Sequence, residues 1–195
     1  MGVRPCLMPV RHLQNPGVMR ILKKLILVCD KINEWIGRCV VSIAVLFFIG
    51  IIFGDVILRY FFNSSFVVLA ELEWHVFGFI ILIGAGYTLL HDGHVRVDIF
   101  YSIMSRKARA WVDFIGVLIF LIPSCYVVLS TTIPWVIVSY QIGELSIDPG
   151  GIPARFLIKS TLPIGYSLIF IQGISLCLKS LLILLDKPVE TAESN

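Results

Sequence analysis

Near the amino terminus, apolar and polar residues alternate with a helical period. Ile21, Leu22, Leu25, Val28, Cys29, Ile32, Trp35 and Ile36 recur every three or four positions, while Arg20, Lys23, Lys24, Asp30, Lys31 and Asn33 fill the other face. The pattern predicts an amphipathic helix over 18–38 with a basic polar side, suited to lying in a membrane headgroup layer. Beyond it the period gives way to long apolar runs at about 39–60, 67–90, 114–140 and 157–185. Each run is near the ~20 residues that a helix needs to cross a ~30 Å hydrocarbon core. Backbone groups in lipid must be satisfied within their own segment, which selects helices over open strands. Only residues 61–66 separate the first two runs, so these two form an antiparallel hairpin. Pro123 and Pro134 are expected to kink the third run, and Pro163 falls in the first turns of the fourth.

The implied fold class is all-α: an integral membrane four-helix bundle with an N-terminal amphipathic interfacial helix. Residues 1–17, with Pro5, Pro9 and Pro16 and no period, read as a disordered tail, and 186–195 as a second tail. Lysine and arginine placement orients the bundle. Arg4, Arg11, Arg20, Lys23, Lys24, Lys31 and Arg38 precede the first run. Arg96, Arg106, Lys107 and Arg109 lie between the second and third, and Lys179 and Lys187 at or after the end of the fourth. Only Arg59, Arg155 and Lys159 stand on the other side. This bias, 13 against 3, makes both termini cytoplasmic. Helical alternation from Ile99 to Trp111 predicts a second short interfacial helix on the inner face.

Composition agrees with the pattern. Apolar residues make up 57% and charged ones 15%, whereas soluble domains carry about 25% charged. The basic residues flank apolar runs and form no stripe in a polar domain, which excludes nucleic-acid binding. The five cysteines (Cys6, Cys29, Cys39, Cys125 and Cys177) include no C-x-x-C pair and read as small hydrophobes.

Ionisable residues within a span are the first functional candidates, because burying one there costs at least ~2.5–3.5 kcal/mol. Asp55, Arg59, Glu71, Glu73 and His75 all fall toward the outer ends of the first hairpin. Asp55 and Arg59 are four apart and can pair on one helical face, as can Glu71 and His75. Glu71 and Glu73 point to nearly opposite sides. Either could reach Arg59 across the tight turn, leaving the other for a partner. The third and fourth runs carry little polarity beyond Gln172 and hydroxyls, so a self-sufficient channel or pump would lack a polar lining. Gly50 and Gly54 form a G-x-x-x-G step, suited to close helix packing in the bundle or against a partner.

His91 and His94, with Asp92 and Asp98, are the remaining chemistry-bearing cluster. They sit at a helix end, and H-x-x-H alone is a weak metal signature. Haem bridging would need facing histidines within spans, where His75 stands alone. No phosphate loop, nucleophile elbow or zincin motif is present. The chain is therefore read as a non-enzyme with no cofactor or metal of its own. The alternatives are a four-helix membrane redox or haem-binding subunit using His75, His91 and His94, and a free-standing small transporter.

One order of motifs ties these residues together. Arg59-Tyr60-Phe61-Phe62-Asn63 is followed by Glu71-Leu72-Glu73-Trp74-His75, then Gly84-Ala85, then Asp92-Gly93-His94-Val95-Arg96-Val97-Asp98. The series closely resembles the small permease subunit (DctQ type) of tripartite ATP-independent periplasmic (TRAP) transporters, over about Leu25 to Leu185. That family shows an R-Y-x-x-N turn, acids opening the second helix, a G-A step and G-H-x-x-V-D at its inner end. Many relatives have adjacent acids where this chain has Glu71-Leu72-Glu73. The segment from Asp148 to Arg155 also resembles the outer loop of one branch.

The resemblance implies a bacterial inner-membrane subunit bound to a large permease subunit, which holds the substrate and sodium sites. A periplasmic substrate-binding protein would deliver an organic acid to the outer face. Its implied interface or hairpin charge cluster is Asp55, Arg59, Asn63, Glu71, Glu73, Trp74 and His75. Gly93, His94 and Asp98 form the inner-end motif. Asp148 and Arg155 lie on a stiff, charge-balanced loop read as the docking surface for the binding protein.

Overall fold

A computed structural model describes residues 16–91 and 104–185. The 1–15 and 186–195 segments, the inner-end motif of Gly93, His94 and Asp98, and the start of the short inner helix lie outside the described residues. The described chain is helical throughout its elements. α1 (Pro16–Trp35) runs through a π-helical stretch, Ile36–Val41, into α2 (Ser42–Phe61). α3 (Val67–Leu90) returns antiparallel to α2. α4 (Arg106–Gly116) runs through a second π-helical stretch, Val117–Leu121, into α5 (Ile122–Gln141), and α6 (Phe156–Leu184) closes the order. Among the described residues, four helices are long and apolar enough to cross a membrane: Met19–Phe61, Val67–Leu90, Arg106–Gln141 and Phe156–Leu184. The chain is an all-α, four-span membrane bundle.

Two boundaries differ from the sequence expectation, for local reasons. The residues flanking both π-helical stretches keep right-handed helical torsions, so nothing interrupts either long helix. The amphipathic segment at 18–38 is thus the first part of a 43-residue helix and is not separated from the first span. The third span likewise begins at Arg106, where the Ser105 hydroxyl accepts from the Ala108 N–H at 3.3 Å and caps the helix. Pro123 stands two residues beyond Leu121, the last residue of the Val117–Leu121 stretch. A proline lacks an N–H and its ring crowds the carbonyl four residues back, and a π-helical turn there accommodates both.

α6 is the hub. It packs on α3 and α5 along the spans, and on α1 and α4 through its carboxy-terminal half, while α2 packs mainly on α3. Its buried positions are mostly small or polar: Thr161, Gly165, Gln172, Gly173, Ser175 and Ser180, with Leu168 and Leu182. A Cβ on Gly165 would stand 2.6 Å from the Leu82 carbonyl oxygen, so glycine sets how closely α6 approaches α3. Large apolar side chains such as Leu46, Phe53, Phe120 and Tyr126 are exposed instead. Small and polar inside, apolar outside is the arrangement expected where lipid takes the place of water.

α1 follows the same inverted logic, and the burial of its polar residues goes beyond the expected interfacial helix. Its apolar stripe of Ile21, Leu25, Val28, Ile32 and Trp35 is exposed, whereas Ile26, Asp30 and Asn33 are buried. Asp30 and Asn33 do not belong to a solvated polar face. They are the contact with α6.

Candidate functional site

The end of the bundle that holds the α2–α3 turn and the α5–α6 loop carries most of the candidate residues. Asp55 is buried on α2, and Arg59, one turn on, donates to its Oδ2 at 2.7 Å. Helical spacing alone makes this pair. Asn63 adopts a left-handed conformation (φ 49°), and the Ser64 N–H returns to the Leu58 carbonyl at 3.1 Å to end the helix. Asparagine tolerates this conformation because its short side chain hydrogen-bonds locally. Asn63 therefore shapes the turn.

Neither glutamate of α3 meets Arg59. The buried Glu71 carboxylate accepts from the Ser146 hydroxyl and from the Ile152 N–H, both in the α5–α6 loop. The pairing considered from sequence thus gives way to a contact with a segment 75 residues further on. His75 meets the Glu71 backbone carbonyl through Nδ1, so its ring stays on its own helix.

The loop that Glu71 grips is itself closed. Glu144 accepts from Lys159 and from the Ser139 hydroxyl, the latter at 2.7 Å, and the Arg155 N–H donates to the Glu144 carbonyl at 3.1 Å. Lys159 and Ser139 hold the Glu144 carboxyl below the ordinary glutamate range. The Lys159 ammonium also lies 4.2 Å from the Trp135 ring centre. At the tip, Asp148-Pro149-Gly150-Gly151 is a reverse turn in which the Gly151 N–H donates to the Asp148 carbonyl at 3.0 Å. Proline second and a glycine at φ 82° third are the residues a type II turn requires. Asp148 is exposed on this turn, and Arg155 lies half-buried where the loop enters α6.

Glu73 faces the other way, as its two-residue offset from Glu71 requires. It lines a groove between α2 and α3, of about 330 Å³, with Phe48, Trp74 and Phe77. Phe48 and Phe77 stack with ring centres 5.9 Å apart, and Trp74 is 77% exposed. The set grouped from sequence is thus three separate arrangements: Asp55 with Arg59, Glu71 with the loop, and Glu73 with Trp74 in the groove.

A further cluster escaped the sequence reading. Asp30 accepts at Oδ1 from Ser175 (2.6 Å) and Gln172 (3.1 Å), and its Oδ2 is paired with the Lys179 ammonium at 2.8 Å. Asn33 donates to Gln172 Oε1 at 3.1 Å, while its own Oδ1 faces Gly86 with no hydrogen-bond donor. The signal was present as two matching stripes. Asp30 and Asn33 are three apart on α1, and Gln172, Ser175 and Lys179 lie three and four apart on α6.

At the same end of the bundle, His91 Nε2 lies 2.6 Å from Glu34 Oε2, and Glu34 also pairs with Arg38. His91 is engaged with α1, and among the described residues no three His, Cys, Asp or Glu side chains converge as metal ligands. A Cβ on Gly50 or Gly54 would meet nothing, so the G-x-x-x-G step is not used within the bundle.

Comparison with known families accounts for the order of these motifs. The family model described as tripartite ATP-independent periplasmic transporters, DctQ component, matches residues 48–182, which takes in α2 from Phe48, α3, the loop and nearly all of α6. Among curated proteins, none matches the chain.

Proposed function

This chain belongs to the DctQ component family of tripartite ATP-independent periplasmic transporters, small membrane subunits of such systems, and from that membership we propose how it works. It scaffolds a large permease subunit in the bacterial inner membrane, with both termini cytoplasmic. The large subunit carries out sodium-driven uptake of an organic acid delivered by a periplasmic binding protein. No cofactor is involved, and the sodium and substrate sites lie in the partner.

One observation carries this reading. α5 has no charged residue, and on α6 Gln172, Ser175 and Lys179 are engaged by Asp30 and Asn33 while Lys159 is paired with Glu144. A solute path through lipid needs free polar groups near the midplane, and these are engaged in holding helices together. The braced loop at the hairpin end supports a docking role for Asp148 and Arg155, because a stiff loop loses little freedom on binding. Among the described residues, His75 meets the backbone of its own helix and His91 meets Glu34, which gives a redox or haem-binding subunit no support.

Deleting the gene for this chain, with the large subunit and the binding protein still expressed, tests the proposal. Uptake should be lost, and the membrane level of the large subunit should fall. Unchanged uptake would reject the scaffold role.

A further inference from the structure

Six charged side chains lie on the membrane-crossing helices α2, α3, α5 and α6: Asp55, Arg59, Glu71, Glu73, Lys159 and Lys179. Five are engaged within the chain: Asp55 with Arg59, Glu71 with the loop, Lys159 with Glu144, and Lys179 with Asp30. Among the described residues, Glu73 has neither a hydrogen bond nor an ion pair. It stands six residues inside α3, about 9 Å from the start of the helix at 1.5 Å per residue. An ionised carboxylate at that depth on an apolar surface is costly unless something answers it.

The surface beside it has the form of a helix-packing seam. Ala70, Trp74, Phe77 and Ile81 follow each other at spacings of four, three and four along α3, all exposed, with Trp74 at 77% and Ile81 at 54%. That spacing keeps one straight stripe in contact with a neighbouring helix over successive turns. The groove beside the stripe, about 330 Å³ between α2 and α3, is large enough for a long side chain and has Glu73 on its wall.

We propose that this groove and stripe receive a membrane-spanning helix of the large permease subunit, which inserts an arginine or lysine against Glu73. The inference rests on the subunit reading above and goes beyond it by naming the face and the chemistry of the contact. Charge complementarity favours this occupant over a second copy of the chain. A twofold contact through the same face would bring two Glu73 carboxylates together, and the chain's own span cations are already paired. A lipid headgroup could answer Glu73 only at the membrane surface, whereas the stripe continues two turns deeper to Ile81.

The test is co-purification of the large subunit with this chain in mild detergent, comparing wild type with Glu73→Gln, Glu73→Lys and Trp74→Ala. Phe53→Ala serves as a control on a different face of α2. Each isolated variant is also melted alone. A crosslinking residue in place of Phe77 reports what occupies the groove. Glu73→Gln should lower recovery of the large subunit by about tenfold, and Glu73→Lys by more, because it opposes like charges. Melting of the isolated chain should be unchanged, since nothing within it pairs with Glu73. The control should recover as wild type, and the crosslink should fall on the large subunit. Equal recovery of wild type and both Glu73 variants would overturn the inference and leave the subunit reading standing. A crosslink only to a second copy, or only to lipid, would also overturn it. If even the wild type recovers no large subunit, the subunit reading falls and the inference with it.

Discussion

Asp30, near the end of the first helix, is ion-paired at 2.8 Å to Lys179 near the end of the last, and the aspartate side chain has no exposed surface. Around this pair, Gln172, Ser175 and Asn33 tie α1 to α6. Breaking a buried pair by removing one member leaves the other charge uncompensated, which costs about 3–5 kcal/mol. Asp30→Ala should therefore lower the melting temperature of the detergent-solubilised protein sharply. Asp30→Ala with Lys179→Met should be milder than the sum of the two single changes. Additive losses in this double-mutant cycle would mean that the two side chains do not act as a pair.

A glycine contrast tests how the helices approach. A Cβ on Gly86 would collide with Asn33 Oδ1 and lie 3.2 Å from Leu168 Cβ, whereas one on Gly54 would touch nothing. Gly86→Ala should destabilise the isolated protein by about 1–3 kcal/mol. Gly54→Ala should be neutral or slightly stabilising in a helix. Equal melting temperatures for the two variants would contradict the packing described.

Much of this fold was readable in the sequence. The four spans follow from the length of the apolar runs, and Asp55 meets Arg59 because four residues make one helical turn. Glu71 and Glu73 face apart for the same reason. The partner of Glu71 was not readable, because Ser146 and Ile152 come from a loop far along the chain. The contact of α1 with α6 was not readable, because Asp30 and Asn33 fall on the same polar side of α1 as its lysines. In a bilayer, a polar stripe gains more by meeting another polar stripe, and Gln172, Ser175 and Lys179 supply it. The continuity of the two long helices was hidden as well, since a π-helical turn leaves no distinctive residue except the proline that follows Val117–Leu121.

The loop clasp predicts an acid transition. The Glu144 carboxyl is held below its ordinary value of 4.5 by Lys159 and Ser139. A depressed carboxylate stabilises the folded loop fully above the ordinary value, and that contribution is lost as pH falls through the lowered one. In a variant with Trp35, Trp74 and Trp111 each replaced by Phe, the fluorescence of Trp135 should change below pH 4.5 as the Lys159 ammonium is released from Glu144. The transition should vanish in Glu144→Gln. Its persistence in that variant would assign it to another group.

Orientation is checked by reporter fusions. Fusions near Ser105 and after Asn195 should report cytoplasm, and those near Ser64 and Gly150 periplasm, following the lysine and arginine bias. A periplasmic signal at Ser105 would invert the arrangement.

That this chain supports transport without providing the path can be read from uptake into proteoliposomes under an inward sodium gradient, using a radiolabelled panel of organic acids. The isolated chain should show no uptake above empty vesicles. Adding the large subunit and the loaded binding protein should give sodium-dependent accumulation of one acid, lost again when this chain is left out. Robust uptake by the isolated chain would contradict the account.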